Sequence, residues 1–169
     1  FKNVISNGLV LDKGGQKMSK RIGNVIDPFK LIEKYGADPV RWYMVSNSNP
    51  WENLKFDVSG IEDVSRRFFG TLFNTYSFFA LYANIDKFNP SNSTTRIQAS
   101  SVLDRWILSE LNSLILRVAS AYDNFDATRV TRDIQSFVLD KLSNWYVRLC
   151  RRRFWKNTLD EDKLLGFEI

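Results

Sequence analysis

The 169-residue chain has no histidine and a single cysteine, Cys150. Without histidine it lacks the commonest general base and the commonest metal ligand, so no Ser-His-Asp triad, Cys-His pair or zinc pattern can be written. One cysteine excludes an internal disulfide framework and suits a reducing cytosol. Cys150 lies in a helical pattern and reads as a small packed residue, not a catalytic thiol. No apolar run approaches the ~18 residues of a membrane span. Phe1-Lys2-Asn3 has neither the charged start nor the apolar stretch of a signal peptide. The chain does not begin with Met, and no helix-stop signal follows Gly166, so a piece of a longer protein is expected.

What the chain does contain is apolar and aromatic. The apolar fraction is 44%, with thirteen Phe and five Trp, enough for a core and against disorder. The length fits one domain, or a domain with a piece of another. The net charge of +5 permits a nucleotide or nucleic-acid partner without requiring one.

Residues 4–12 carry β-branched and apolar residues around Asn7-Gly8 and predict short strands at a turn. Asp27-Pro28 signals a helix start and Gly36 its end; Asp38-Pro39 repeats the start signal for a second short helix ending near Ser46-Asn47. Leu54-Lys55-Phe56 reads as a short strand. A long helix is predicted from Val58 to Ile85, with Val64, Phe68, Leu72, Thr75, Phe79 and Ala83 inward and Phe69, Phe73 and Tyr76 widening the stripe. Residues 86–100 are polar and read as a linker. Ser101 caps a third helix with Ile107, Leu111, Leu114, Ile115, Val118 and Tyr122 inward. Asp126 caps a fourth, with Val130, Ile134, Phe137, Val138, Leu142, Trp145 and Leu149 inward. Residues 157–162 read as loop. The fold class is mainly α: a short α/β segment followed by a helix bundle.

Lys17-Met18-Ser19-Lys20-Arg21 stands between Gly14-Gly15 and Gly23-Asn24. Three cations in five residues, on a backbone loosened by glycine, suit a polyanion such as a triphosphate, whose leaving oxygens gain charge as a bond breaks. The pattern is not a Walker A motif, because the cations precede Gly23. Charge alone favours the commoner case, a solvated basic loop.

The flanks decide between these. Asn7-Gly8-Leu9-Val10-Leu11-Asp12, the run Gly15 to Pro28, and Tyr35-Gly36-Ala37-Asp38 resemble the second signature region of class I aminoacyl-tRNA synthetases, in the branch handling Leu, Ile and Val. Arg41-Trp42-Tyr43, Trp51 to Asp57, Asn74 to Asn84 and Ser143 to Arg148 look like the isoleucyl-tRNA synthetase members of that branch. The resemblance implies an enzyme that activates an amino acid with ATP and transfers it to its tRNA. It implies that residues 1–57 end a catalytic domain and that 58–169 form part of an anticodon-binding bundle, with the linker near 86–100. Lys17, Met18, Ser19, Lys20 and Arg21 would then close over the ATP phosphates. Lys17, Ser19 and Lys20 would carry the catalytic role, Lys20 foremost. Arg21 stands where the motif usually ends in Ser, which leaves the lysine roles intact. Magnesium is implied with ATP, and no zinc site is expected here. The partners implied are ATP, an isoleucine-specific tRNA and the rest of a parent chain, in the cytoplasm. The family's other nucleotide signature contains two histidines, so this chain by itself is expected not to form adenylate.

Arg148, Arg151, Arg152, Arg153 and Lys156 put five cations in nine positions at a helix end, a pattern that meets RNA phosphates or, equally, complements the helix dipole and pairs with acids such as Asp160 and Glu161. The aromatic stripe of Phe68, Phe73, Phe79, Trp145 and Tyr146 is expected to pack as core rather than stack on bases. The alternatives are a non-catalytic helical RNA-binding or scaffolding module, and a valyl or leucyl relative.

Overall fold

The computed structural model describes residues 1–90 and 101–169; most of the expected linker near 86–100 lies outside the described residues. Two compact units are formed, Phe1–Phe69 with Arg117–Ile134, and Gly70–Leu116 with Gln135–Ile169.

The first unit is assembled around α1 (Pro28–Tyr35) and α2 (Ala37–Asn47). Asp27 caps α1 by accepting from the Phe29 N–H at 3.0 Å, and Pro28 stands where no N–H is needed. Gly36, at φ 83°, ends α1 and starts α2 in a single residue. The second helix therefore begins at Ala37, ahead of the Asp38-Pro39 signal, and Asp38 falls in the first turn, where its charge suits the dipole. The strands at an Asn7-Gly8 turn do not form. Instead β1 (Val10–Leu11) pairs in parallel with β2 (Leu54–Lys55), with Val10 opposite Leu54. The reason is that the backbone near the expected turn is claimed from afar. The Gly8 N–H donates to the Pro50 carbonyl (2.8 Å) and the Leu9 N–H to Asn53 Oδ1 (2.9 Å). A Cβ at Gly8 would lie 2.1 Å from the Glu52 carbonyl oxygen, so only glycine permits this approach.

Val40, Tyr43, Leu54, Phe56 and Ile61 form this unit's buried cluster. Ile61 comes from α3 (Val58–Asp63), capped by Asp57. Gly60 lets α3 sit on the Tyr43 ring, where a Cβ would come within 2.3 Å of ring carbon. A π-helical segment, π1 (Val64–Phe69), follows and places Phe68 in a stack on Trp42, centroids 4.4 Å apart.

The second unit contains α4 (Gly70–Ile85), the first fifteen residues of α5 (Val102–Asp123), a π-helical segment π2 (Phe137–Val147), α7 (Arg148–Phe154) and α8 (Glu161–Glu168); α6 (Ala127–Ser136) lies mainly in the first unit. Every residue from Val58 to Ile85 is helical, as predicted, and Gly70 stands where π1 gives way to α4. Lys87, at φ 54°, ends α4: the Phe88 N–H donates back to the Ala83 carbonyl and the Lys87 N–H to that of Asn84, a glycine-type stop made without glycine. Phe78, Phe154 and Phe167 pack ring to ring, with centroids 5.2–5.6 Å apart. Ser101 Oγ accepts from the Asp104 N–H at 2.9 Å, and Asp126 Oδ1 from the Arg129 N–H at 3.0 Å, so both predicted caps form.

Several predicted inward residues face outward. Phe73 is 68% exposed and Trp145 56%; Ile115, Tyr122 and Leu149 are exposed as well. Phe68 and Tyr146 are buried as expected. The π segments explain part of this. Their i→i+5 bonding widens the turn and rotates later residues away from the face that a 3.6-residue period assigns. Residues 157–162 are only partly loop: Asp160 caps α8 by accepting from the Lys163 N–H at 2.8 Å.

Candidate active-site loop

The basic loop begins as a tight hairpin off β1. Leu11 faces Lys17 as an antiparallel bridge, the Asp12 N–H donates to the Gln16 carbonyl (2.8 Å), and Gly15 turns the tip at φ 83°. The segment beyond is held by Asn24. Its Oδ1 accepts from the Ser19 N–H at 2.7 Å; its Nδ2 donates to Asp12 Oδ2 at 2.9 Å and to the Lys17 carbonyl at 3.3 Å. Asp12 accepts further from the Gln16 N–H at 2.8 Å. The Asn24 amide, followed by the Gln16 N–H, holds the Asp12 carboxyl below its usual range. Ser19 closes the next turn, its carbonyl accepting from the Ile22 and Gly23 N–H groups (both 3.1 Å) and its hydroxyl from the Arg21 N–H (3.2 Å).

Met18 and Ser19 are half-buried, and Met18 is the loop's apolar anchor. It packs with Ile26, Leu31 and Tyr35 against the Val40–Tyr43–Phe56 cluster, on a small apolar cavity of about 140 Å³. Lys17, Lys20 and Arg21 are exposed, and among the described residues none has an ion-pair partner. The contrast with Lys13 is informative. Lys13 meets Asp57 at 2.9 Å, and each charge favours the other, raising the amine's pKa and lowering the carboxyl's. Lys55, which also has no ion pair among the described residues, lies beside the tip, with its Cε 3.3 Å from where a Gly15 side chain would start. Among the described residues the loop thus carries cations without ion-pair partners on a clamped backbone, an arrangement able to stabilise negative charge. Sequence reasoning missed Asn24, Asp12 and Lys55. Asn24 and Asp12 stand within the quoted signature, and an Asn directly after a turn glycine is the signal that points to backbone capping.

The second predicted cluster separates. Arg148, Arg151 and Arg152 are exposed and make no ion pair among the described residues. Arg153 is corrected as a candidate RNA contact: it is only 8% exposed, and its Nη1 donates to Asp104 Oδ1 at 2.8 Å. Its Nη2 lies 3.1 Å from Asp162, and its Nε donates to the Asp162 carbonyl. The Tyr146 hydroxyl donates to the same Asp104 oxygen at 2.9 Å. Asp104 is 0% exposed. Burial alone would raise its pKa, but the bonds from Arg153, Tyr146 and the Ser101 cap outweigh it, and the carboxyl stays below its usual range. Lys156 pairs with Asp160 (2.9 Å) and Asp162 (3.1 Å); Asp160 was anticipated as a partner for this cluster. Cys150 is buried beside this network, and burial pushes its thiol pKa up. Among the described residues no three His, Cys, Asp or Glu side chains cluster as a metal site. No described helix is long and apolar enough to cross a membrane.

Two family models match in chain order: tRNA synthetases class I (I, L, M and V) over residues 1–57, and the anticodon-binding domain of tRNA ligase over residues 104–166. The chain is 58% identical over 168 residues to an isoleucine--tRNA ligase of Porphyromonas gingivalis, covering 99% of this chain and 15% of that protein. It is 48% identical over 168 residues to an isoleucine--tRNA ligase of Dehalococcoides mccartyi, covering 99% of this chain and 16% of the relative. The chain therefore spans about 15% of the length of such curated relatives. Its fold resembles that in the crystal structure of the ternary complex of Agrobacterium radiobacter K84 agnB2 LeuRS-tRNA-LeuAMS, with TM-score 0.62 and 22% identity over 95% of this chain and 19% of that one. With the loop, the short parallel pairing and the helices following in that order, the chain belongs to the class I tRNA synthetases.

Proposed function

We propose that this chain is the part of an isoleucine--tRNA ligase that closes over the ATP phosphates and presents helices to tRNA. The observation that carries the reading is the set of cations Lys17, Lys20 and Arg21, without ion-pair partners among the described residues, on a loop whose backbone Asn24 clamps. The sequence identity with isoleucine--tRNA ligases supports it.

In the reaction, the isoleucine carboxylate attacks the α-phosphate of ATP. The bond to the β-phosphate oxygen breaks, and pyrophosphate leaves with the electron pair. No proton needs to move, so the missing histidine is no obstacle to this loop's part. Lys20 and Lys17 stabilise the growing negative charge, Arg21 adds a third cation, and the Ser19 turn sets their spacing. Met18 keeps the loop seated. Among the described residues no cluster of acids fits a magnesium ion, and the loop's own acid, Asp12, is committed to Asn24 and Gln16. The ion therefore belongs to the MgATP substrate, on its phosphates.

We assign residues 1–57 to the end of the catalytic domain and 58–169 to part of the anticodon-binding helical bundle, with a linker near 86–100 within that second part. Arg148, Arg151 and Arg152 are the proposed contacts to the phosphates of the isoleucine-specific tRNA, and the setting is cytoplasmic. The test is amino-acid-dependent pyrophosphate–ATP exchange by the full-length protein. Isoleucine should support it far better than valine or leucine. Preference for either of those moves the chain to that branch, and no exchange with any amino acid favours a helical RNA-binding or scaffolding module.

A further inference from the structure

Helix α2 ends without a local cap. Ser48 is extended at φ −143°, so no left-handed residue turns the chain back onto the last carbonyls. Those carbonyls are met by α6, some eighty positions later. Thr128 Oγ1 lies 2.8 Å from the Val45 carbonyl oxygen and 3.0 Å from that of Ser48, its single proton shared between them. Arg132 Nε donates to the Ser46 carbonyl at 2.8 Å, and its Nη2 to that of Asn47 at 2.9 Å. Four consecutive carbonyls are thus covered by two side chains, one a cation placed at the negative end of the helix dipole. Among the described residues Arg132 has no ion pair that would compete for it. Thr128 and Arg132 belong to the segment matching the anticodon-binding model, and α2 to the segment matching the synthetase model.

What α2 supports is the loop. The Tyr43 hydroxyl donates to the Lys55 carbonyl (3.2 Å) and accepts from the Asp57 N–H (3.0 Å), tying β2 to α2. Val40 and Tyr43 are the floor against which Met18 packs. A shift of α2 must therefore be felt at Met18 and at its neighbours Lys17 and Lys20.

We propose that Thr128 and Arg132 are positioning residues for the ATP step: by capping α2 from the anticodon-binding segment, they set the floor under the phosphate loop. This rests on the function proposed above. The test uses the full-length protein and tRNA-free, isoleucine-dependent pyrophosphate–ATP exchange, a reaction that a purely RNA-binding role for α6 would not touch. Arg132→Gln should raise KM for ATP about three- to tenfold, the scale of a weakened charged hydrogen bond, with KM for isoleucine unchanged. Arg132→Lys, keeping the charge but not the fork, should fall between. Tryptic cleavage after Lys17, Lys20 or Arg21 should also quicken in Arg132→Gln. If Arg132→Gln fails to fold, Thr128→Val carries the same comparison. Wild-type values of both KM for ATP and loop cleavage would overturn the proposal. If wild type shows no exchange, the functional reading fails, and the cleavage rates alone decide whether the cap controls the loop.

Discussion

Replacing Asp104 with Ala should be the most damaging single change in the second unit. Asp104 is fully buried and accepts from the Tyr146 hydroxyl and from Arg153 Nη1, at 2.9 and 2.8 Å. Its removal leaves a guanidinium that is nine-tenths buried without its main counter-charge. Breaking a buried pair from one side costs about 3–5 kcal/mol, against a typical total stability of about 5–15 kcal/mol. Arg153 keeps Asp162, which sets the expectation near the lower end, at about 3 kcal/mol. Asp104→Asn retains the shape and one acceptor and should cost about 1–2 kcal/mol. Asp104→Leu combined with Arg153→Met removes both charges and should recover much of the loss. Urea denaturation followed by helical circular dichroism measures all three. The carboxyl's folded pKa is depressed, so its stabilisation is present above the unfolded value of about 3.9 and disappears as pH falls through the folded one. Wild type should accordingly lose stability below about pH 4 more steeply than Asp104→Asn. An Asp104→Ala protein within about 0.5 kcal/mol of wild type would refute the reasoning.

Other outcomes follow from the same contacts. Asn24→Ala removes the bonds to Asp12, the Lys17 carbonyl and the Ser19 N–H; kcat/KM for ATP in exchange should fall roughly tenfold as the loop loses its preset shape, and an unchanged value would show that the clamp is idle. Cys150, buried with a raised pKa, should react with a disulfide reagent at pH 8 at least about tenfold more slowly in the native protein than in urea; equal rates would contradict its burial. Neutralising Arg151 and Arg152 should reduce the salt slope of tRNA binding by about 1.5–2 while stability stays within about 0.5 kcal/mol, whereas an unchanged slope removes them from the RNA surface.

Much of this is legible in the sequence. The Asp27-Pro28 and Ser101 caps depend on neighbours in sequence, and both form as read. So does the helix from Val58 to Ile85, where apolar spacing persists over many turns. What was not legible depends on distant partners. β1 pairs with residues 44 positions away because Gly8 and Leu9 are already engaged by Pro50 and Asn53. Trp145 and Phe73 face outward because π-helical segments precede or contain them, and a 3.6-residue period cannot foresee an i→i+5 turn. Arg153 looked like its neighbours Arg151 and Arg152, and only the fold discloses that Asp104, 49 positions earlier, holds it. For the loop, charge and glycines pointed to a polyanion, and the flanking residues pointed to the family. The clamp by Asn24 and the seating of Met18 required the structure.

The central claim is that the exposed cations of this loop act on the phosphates of ATP, and Lys20→Ala in the full-length protein tests it most directly. Lys20 is exposed and has no ion-pair partner among the described residues, so the melting temperature should not move. The rate constant for isoleucine-dependent pyrophosphate–ATP exchange should fall about 100-fold or more, the scale of losing one preorganised contact to a developing charge. A Lys20→Ala protein that exchanges within about threefold of the wild-type rate would contradict the account.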